Sequence, residues 1–381
     1  MMVTDASIPS QPLGVAMSVR TIWVTSVPSG LSDRHPSRGT GLSSTLLDRR
    51  RRFRLASPRE GVTLAAWDPA AEPGERYLKM SGYPVSPDSA DPRATQDVEG
   101  GFTVIVAVTG GCGSVGSPTV HELLKQGYQV RCLDRVALED RRCPFFRVDL
   151  TDFGQVVGAL HGCDAVIHLG AIRSPVGWPP HVVYANNAVS HYNVLEAAAT
   201  LGIKKVCTAS SVNAIGLAYS RKPTFDYFPI DENHETRAED CYSLSKWCGE
   251  QVADGIARHH GDMTLISFRY ANVRSPTSYA SWRDSGSDKR ADDPSGLWGY
   301  GDNRDVARAN RLAIEARWTG HEVFFLTAAD TDCDTPSRDL AERHHPEVPI
   351  RGDLSGCKSF FDCAKAAKLL GWEPEHSWRE S

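Results

Sequence analysis

The chain has 381 residues, of which 41% are hydrophobic and 23% are charged, and its formal net charge is −5. This composition is typical of a globular protein with enough apolar side chains for a large core. A negative net charge argues against nucleic-acid binding, which needs a basic surface to neutralise phosphates. No uncharged run of about 18 apolar residues is present, so we predict no membrane span. A small molecule is therefore the predicted partner.

Cysteine usage points to a reducing compartment. The ten cysteines are scattered, form no Cys-x-x-Cys pair and follow no secretory leader. We predict reduced thiols, mostly in the core, and a cytoplasmic location. We predict no metal site, since His168 has no partner ligands at zinc-like spacing.

Residues 1–101 are rich in Ser, Pro, Gly and Arg and differ from the remainder. The first 60 residues contain nine Arg and four acidic residues, a balance typical of mitochondrial transit peptides. The first 19 residues, however, contain one acid and no Arg. We therefore favour a poorly structured extension over a targeting segment. Met80 is an alternative start site.

From Phe102 onward, apolar runs alternate with helical stretches, which is the pattern of a parallel α/β sheet. The predicted strands are 104–108, 128–134, 145–148, 165–169, 205–209 and 264–269. The predicted helices are 118–126, 181–201, 242–259 and 304–317. Residues 275–302 are polar and are predicted to form a loop. The predicted fold is therefore α/β, with a doubly wound parallel sheet.

A glycine-rich turn follows the first predicted strand. Gly110 permits the tight turn, Gly113 permits close approach of a pyrophosphate, and Gly116 permits the next helix to pack on the strand. The N–H groups at Ser114 and Val115 then face the phosphates at the positive end of that helix. Strand, glycines and helix in this order predict a Rossmann-type dinucleotide site.

The ends of the next strands supply the other predicted cofactor contacts. Asp134 can accept hydrogen bonds from the adenosine ribose, which favours NAD over NADP, although Arg135 could pair with a 2′-phosphate. Asp149 and Leu150 are placed to cover the adenine ring. The small residues after the fourth strand permit close approach of its backbone to the cofactor. This last group is Leu169, Gly170 and Ala171.

Tyr242 and Lys246 are four residues apart at the start of a predicted helix, so their side chains share one face. An ammonium group near a phenol stabilises the phenolate, and this should bring the tyrosine pKa towards neutral pH. Ser211 lies at the end of the preceding strand and can bind the substrate oxygen. We prefer it to Ser210, although both serines could merely cap the strand.

In this order, the motifs resemble the extended short-chain dehydrogenase/reductase superfamily, in its NAD-dependent epimerase/dehydratase family, over about residues 103–375. The matching segments are 109–116, Asn187 with 193–197, 210–211, 231–232, 242–246 with 249–250, 304–307 and 370–372. The resemblance implies that Ser211, Tyr242 and Lys246 form a catalytic triad and that Asn187 supports a proton relay. It is compatible with a homodimer.

The resemblance also implies a division of the domain 102–381. The cofactor core comprises 102–273 and 304–330, and the small substrate-binding region comprises 274–303 and 331–381. We expect Asn213 and Ser174 to contact the substrate.

The chain departs from parts of the family pattern. Sugar-nucleotide dehydratases carry an Asp-Glu pair where this chain has Val212-Asn213, so dehydration is not expected. Nucleotide-sugar epimerases usually have Tyr-Gly after the serines, where this chain has Ile215-Gly216. The compact substrate region is more similar to the uronate-dehydrogenase-like members, although these have a different pair after the second serine.

Three functions remain open from the sequence. The leading one is an NAD(P)-dependent dehydrogenase or reductase acting on a hydroxyl or carbonyl of a sugar-like or secondary-metabolite substrate. The second is a sugar epimerase that retains its NAD. The third is a catalytically silent NAD(P)-binding scaffold or sensor, which an intact triad argues against. Arg274, Arg283 and Lys289 could bind an acidic or hydroxylated substrate or could form a solvated charged surface.

Removal of residues 1–79 should leave folding and cofactor binding intact. The first strand that the glycine loop needs begins near residue 104, and the preceding segment has no sustained period of 2 or 3.6 residues that would create an apolar face. A chain beginning at Met80 should bind NAD(H) and melt near the temperature of the full chain. Insolubility, or loss of NAD(H) binding in a calorimetric titration, would place the extension within the fold.

Overall fold

The computed structural model describes residues 104–137, 142–284 and 287–380, which all belong to the unit Val98–Ser381. The predictions made for residues 1–101 lie outside these described residues. No described helix is both long and apolar enough to cross a membrane.

A seven-stranded parallel sheet forms the centre of this unit. Its strands are β1 Ile105–Thr109, β2 Gln129–Asp134, β3 Phe145–Arg147, β4 Ala165–His168, β5 Lys205–Ala209, β6 Thr264–Tyr270 and β9 Gly320–Leu326. Their order is β3-β2-β1-β4-β5-β6-β9, and all six pairings are parallel. Two further strands, β7 Asn272–Arg274 and β8 Tyr300–Asp302, pair in parallel outside this sheet. The predicted doubly wound sheet is confirmed.

Helices connect the strands and cover both faces of the sheet. They are α1 Gly116–Lys125, α2 Phe153–Leu160, α3 Pro180–Thr200, α4 Cys241–His260, α5 Tyr279–Asp284, α6 Ser287–Ala291, α7 Asn303–Glu315, α8 Ser337–His344 and α9 Ala364–Leu370. One apolar layer packs α1, α7 and α9 against the sheet, and another packs α2, α3 and α4. Both faces are covered, and the strands bury mainly apolar side chains, although Thr109, His168 and Arg269 are buried among them.

Asp240 and Gly261 determine where α4, the helix that carries Tyr242 and Lys246, begins and ends. The Asp240 carboxylate accepts hydrogen bonds from the backbone N–H groups of Tyr242 and Ser243, at 2.9 and 3.0 Å. This N-cap satisfies two donors of the first helical turn of α4. Gly261 ends the helix with a φ of 65°, a left-handed conformation that glycine adopts without a Cβ clash. Tyr242 therefore lies in the first turn of α4, facing the end of β5.

The prediction of a loop over 275–302 is wrong. This segment contains α5, α6 and β8, because its aromatic side chains bury one another despite the polar residues between them. Tyr279, Trp282 and Tyr300 pack together with Trp378 from the end of the chain. Local periodicity does not show this cluster, since its last member lies far along the sequence.

The order of the strands places a crevice at the carboxyl end of the sheet. The chain moves outward from β1 to β2 and β3 in one direction, and from β4 onward in the other. Loops after β1 and β4 therefore diverge at the boundary between these neighbours. Ligands of doubly wound proteins bind at such a topological switch point.

Candidate active site

A cleft of about 760 Å³ lies at the carboxyl ends of β1, β4, β5 and β6. Nine of the predicted site residues line it: Ser114, Val115, Leu169, Ala171, Ser174, Ser211, Asn213, Tyr242 and Lys246. The other predicted site residues do not line the cleft. They are Gly110, Gly113, Gly116, Asp134, Arg135, Asp149, Leu150, Gly170 and Asn187. The cleft thus brings the predicted catalytic hydroxyls and ammonium group to one surface.

Of the three glycines predicted to shape the cofactor turn, Gly110 and Gly116 are packed too closely for a larger side chain. A Cβ at Gly110 would lie 2.7 Å from the backbone nitrogen of Gly170, and a Cβ at Gly116 would lie 2.1 Å from the Gly110 carbonyl oxygen. A Cβ at Gly113 would contact only that carbonyl oxygen, at 3.2 Å. The N-cap residue of α1, Val115, makes no side-chain capping bond. The first turn of α1 thus has no side-chain cap at the part of the cleft that Ser114 and Val115 line.

Asp134 connects the glycine loop to the end of β2. Its Oδ2 accepts from the backbone N–H of Cys112 at 3.0 Å, and its Oδ1 accepts from the backbone N–H of Arg135 at 2.7 Å. Oδ1 also accepts from the backbone N–H of Val136 at 3.4 Å, whereas Oδ2 keeps a further lone pair that a ribose hydroxyl could use. The side chain of Arg135 is exposed, beside the carboxylate that would repel a 2′-phosphate.

Residues after β3 and β4 complete this side of the site. A Cβ at Gly170 would lie 2.5 Å from Cδ1 of Leu150, so the two chain segments are in tight contact. Hydrogen bonds from the Thr151 hydroxyl and backbone lower the pKa of Asp149, and the charge of Arg135 contributes. The tight glycine loop, the helix terminus and the acid at the end of β2 fit a dinucleotide.

The hydroxyls of Ser211 and Tyr242 meet at the wall of the cleft. Ser211 is 5% exposed and its Oγ accepts from the backbone N–H of Asn213 at 3.1 Å. Burial raises the pKa of Tyr242 to about 12, although a hydrogen bond with Ser211 opposes this rise. Lys246 donates to the carbonyl oxygen of Ala209 at 2.8 Å, one turn along α4 from the tyrosine.

The expected lowering of the Tyr242 pKa by Lys246 is not observed. The Lys246 Nζ lies 5.8 Å from the centre of the tyrosine ring, and burial is the dominant effect on the phenol. Burial also lowers the pKa of Lys246 to about 8, while the charge of Glu250 opposes this change. Both groups are therefore pushed towards their neutral forms, because a buried charge loses its hydration.

The neighbouring serines have different surroundings. Ser210 Oγ donates to Glu250 at 2.5 Å, and Glu250 also accepts two hydrogen bonds from Arg269, at 2.9 and 2.8 Å. The Ser210 hydroxyl is thus hydrogen-bonded to the carboxylate of a buried ion pair. Ser211, in contrast, adjoins Tyr242. This arrangement supports the choice of Ser211 over Ser210.

Asn187 lies behind the cleft, on α3. Its Nδ2 donates to the Ile172 carbonyl oxygen at 2.9 Å and to the Ser245 Oγ at 3.2 Å, and its Oδ1 accepts from the Ile172 N–H at 2.8 Å. These bonds join the segment after β4 to α4. Asn187 thus holds α4, which carries Tyr242 and Lys246, through its bond to Ser245. The role of Asn187 in a proton relay remains a prediction.

The substrate side of the cleft contains residues that the sequence did not identify. Tyr219 donates to the Ser174 Oγ at 3.3 Å, and its ring packs edge-on against that of Tyr242, with centres 5.9 Å apart. Asn213 supports this segment, since its Oδ1 accepts from the Ala218 N–H at 2.8 Å. Tyr219 follows no motif, so only the fold reveals its position.

Two residues at the far end of the cleft each have a buried polar atom without a hydrogen bond. Arg274 Nε and Asp332 Oδ1 have no hydrogen-bond partner among the described residues. Burial raises the pKa of Asp332 to about 6, although the charges of Arg290 and Arg274 oppose this rise. Buried polar atoms are almost always paired, so these two are candidates for substrate contacts. Arg283 and Lys289 are exposed and do not line the cleft.

One group of possible metal ligands lies away from the cleft. Ligand atoms of Asp305, Glu375 and His376 lie within 4.8 Å of one another. Asp305 already accepts from the backbone N–H groups of both other residues at 3.0 Å and lies 2.8 Å from His376 Nδ1. These bonds explain the cluster as an anchor for the end of the chain.

Comparison with known proteins agrees with this geometry. A family model described as the NAD dependent epimerase/dehydratase family matches residues 106–324, which is more than half of the chain. The chain belongs to this family. It is therefore an NAD-dependent enzyme, and the predicted cofactor agrees with the family's dependence on NAD.

Several relatives and solved structures are similar to about 72–73% of this chain. A putative UDP-glucose 4-epimerase of Methanocaldococcus jannaschii is 28% identical over 309 residues, with 72% of this chain and 95% of that relative covered. The structure of a UDP-glucose 4-epimerase from Thermotoga maritima, solved with UDP-glucose, matches with a TM-score of 0.56 and 25% identity, covering 73% of this chain and 96% of that one. A mutated uronate dehydrogenase shares the fold, with a TM-score of 0.52, 24% identity and coverages of 73% and 85%.

Substitution of Lys246 by Met should stabilise the protein at neutral pH. Below pH 8 the lysine is charged in both the folded and unfolded states, so the folded state bears the full cost of burial. Between pH 8 and 10.5 the unfolded chain holds the proton that the folded chain has lost, so wild-type stability rises with pH. The variant should therefore unfold with a free energy higher by on the order of 3 kcal/mol at pH 7, and this advantage should disappear towards pH 10.5.

Urea unfolding at several pH values measures this difference. The same substitution at the exposed residue Lys222 controls for the loss of one positive charge. A variant that is less stable than wild type at pH 7 would show that the bond to the Ala209 carbonyl outweighs the cost of burying the ammonium.

Proposed function

We propose that the protein is an NAD-dependent oxidoreductase that transfers hydride between nicotinamide and a hydroxyl or carbonyl carbon of a sugar-like or secondary-metabolite substrate. Ser211, Tyr242 and Lys246 are its catalytic residues. The observation that carries this proposal is the pairing of the Ser211 and Tyr242 hydroxyls at the cleft wall, one helical turn from a buried lysine. NAD supplies hydride transfer when bound.

Ser211, Tyr242 and Lys246 have different roles in transferring the proton of the substrate hydroxyl. Ser211 holds the substrate oxygen beside the Tyr242 hydroxyl. Tyr242 takes the proton from an alcohol during oxidation, or gives it to a carbonyl oxygen during reduction. Lys246 is buried and donates to the Ala209 carbonyl oxygen, so its part would be to hold the nicotinamide ribose beside the phenol rather than to lower the pKa of Tyr242. The raised pKa of the tyrosine means that oxidation should accelerate as pH increases.

Cofactor binding follows from the first half of the fold. The turn at Gly110, Gly113 and Gly116 would hold the pyrophosphate against the N–H groups of α1, including those at Ser114 and Val115. Asp134 would hold the adenosine ribose, with Arg135 beside it. The adenine side would be formed by Asp149 and Leu150, and the nicotinamide side by Leu169, Gly170 and Ala171. Lys246 would also reach the nicotinamide ribose.

The substrate would occupy the second half of the cleft. Ser174 and Asn213 are close to Ser211 and Tyr219, and the far end contains Arg274 and Asp332. The Arg274 Nε donor and the Asp332 Oδ1 acceptor have no hydrogen-bond partner among the described residues. Such a pair suits a substrate with several hydroxyl groups or one acidic group. The substrate panel should therefore include sugars and uronates as well as secondary-metabolite alcohols.

Substitution of Tyr242 by Phe tests the catalytic assignment. The ring still fills its place against Tyr219, but the ionisable hydroxyl is gone, so turnover should fall by a factor on the order of 10² or more. NAD affinity should be nearly unchanged. Tyr192→Phe, on the exposed face of α3, should retain wild-type turnover. Wild-type rates in the Tyr242 variant would exclude this residue as the acid or base.

An epimerase that retains its NAD is the second candidate, and the match to UDP-glucose 4-epimerases favours it. The two functions differ in the fate of the reduced cofactor. A dehydrogenase releases NADH into solution with each turnover, so absorbance grows with substrate. An epimerase converts substrate to its stereoisomer with no net NADH. Mass-balanced assays with sugars, uronates and UDP-sugars would separate them.

Substitution of Asp134 by Ala should narrow the preference for NAD over NADP. The carboxylate accepts hydrogen bonds from a ribose diol and repels a 2′-phosphate. Titration of both cofactors into wild type and variant measures the two dissociation constants. Tighter binding of NADP by the wild type would make Arg135 the residue that selects the cofactor.

A homodimer and a cytoplasmic location remain predictions. Sedimentation velocity on the full chain tests the first, and imaging of the tagged full chain tests the second.

A further inference from the structure

Three cysteines lie around the glycine loop, outside the proposed catalytic machinery. Cys112 belongs to the loop itself, Cys132 lies on β2 beneath it, and Cys143 precedes β3. The Sγ atoms of Cys112 and Cys132 are 3.7 Å apart. Cys132 is 6% exposed, whereas the other two are half-buried. All are free thiols.

The thiols are held in place by backbone contacts. A Cβ at Gly111 would lie 2.6 Å from the Cys132 Sγ, so this sulfur lies directly against the loop. The Cys132 N–H donates to the Pro144 carbonyl oxygen at 2.9 Å, which joins its strand to the segment that carries Cys143. The Cys112 N–H donates to Asp134. Any movement of Cys112 therefore acts on the proposed ribose-binding carboxylate.

We propose that Cys112 and Cys132 form a peroxide-sensitive oxidation site, in which a hydroperoxide converts the two thiols to a disulfide that weakens NAD binding. An S–S bond of about 2.05 Å needs the sulfurs to approach by little more than 1.6 Å, and side-chain rotation together with a small loop shift can supply this. The effect on NAD rests on the proposed function, whereas the oxidation itself does not.

The chemistry balances in two steps. The Cys112 thiolate attacks a peroxide oxygen, the O–O bond breaks, and the departing oxygen takes up a proton to leave as water, or as an alcohol from an organic peroxide. This leaves a sulfenic acid on Cys112. The Cys132 sulfur then attacks the Cys112 sulfur, the S–O bond breaks, and a second water leaves.

Cys143 contacts Cys132 through a hydrogen bond between their thiols. A hydrogen bond with Cys143 and burial raise the pKa of Cys132. The same hydrogen bond lowers the pKa of Cys143 to about 7. The proton of Cys132 passes to the hydroxyl group that leaves Cys112, which departs as the second water, and Cys143 does not enter the new bond.

The effect on the cofactor follows from the position of the pair. The bond would tie the glycine loop to β2 and displace the Cys112 N–H from the Asp134 carboxylate. The pyrophosphate and ribose contacts would then change together. Conversely, NAD bound across the loop should shield Cys112 from peroxide, because linked effects are reciprocal.

The test treats the full-length protein with hydrogen peroxide, blocks the remaining thiols by alkylation and maps disulfides by mass spectrometry. We expect a Cys112–Cys132 bond that dithiothreitol reverses. It should be absent in Cys112→Ser and present in Cys357→Ser, which removes a half-buried thiol elsewhere. The variant Cys143→Ser should form the same bond, because Cys143 takes no part in it. A different pairing, or oxidation of Cys112 beyond the sulfenic acid without a disulfide, would overturn the site.

Calorimetric titration of NAD into the reduced and oxidised proteins tests the consequence. We expect a dissociation constant raised by about tenfold or more upon oxidation, and slower oxidation when NAD is present. Equal affinities of the two forms would overturn the link to the cofactor. If the reduced protein binds no NAD, the proposed function fails, while the mapped disulfide still decides the oxidation site.

Discussion

The buried ion pair between Glu250 and Arg269 joins α4 to the central sheet. Glu250 belongs to α4, Arg269 to β6, and the Ser210 hydroxyl at the end of β5 binds the same carboxylate. Burial of both charges is costly, and the three hydrogen bonds to the Glu250 carboxylate offset part of this cost, although Arg269 Nη1 has no hydrogen-bond partner among the described residues. Loss of either partner would leave a buried charge uncompensated, a change that typically costs about 3–5 kcal/mol. The pair therefore aligns the helix with the two strands.

The proposed chemistry depends on this alignment. Tyr242 and Lys246 precede Glu250 on the same helix, and Ser211 follows Ser210 directly in the chain. With Ser210 bound to Glu250, the next residue points its hydroxyl towards the phenol. The ion pair thus positions a neutral, buried tyrosine beside a serine. Burial, more than the lysine charge, controls the protonation of the phenol in this arrangement.

Much of the first half of the fold could be predicted from local patterns. The predicted strand over 205–209 matches β5. The predicted strand over 104–108 is shifted by one residue from β1, and each of the others differs from the structure by one residue at one end. Apolar runs and glycine turns are local features, so they are visible in the sequence. The prediction failed over 275–302, where burial depends on Trp378. It also omitted β9, whose residues Gly320–Leu326 follow the last predicted helix and complete the sheet edge.

The sequence by itself determined the order of the glycine loop, the acid at the end of β2, the serine and the Tyr-x-x-x-Lys pair, because these motifs depend on spacing within one or two elements. Tertiary structure decided which serine hydroxyl meets the Tyr242 phenol, and it brought Tyr219, Arg274 and Asp332 into the lining of one cleft from segments that are distant in the chain. It also decided the direction of the pKa shifts at Tyr242 and Lys246. Burial arises from packing between distant segments, and no local pattern of residues records it.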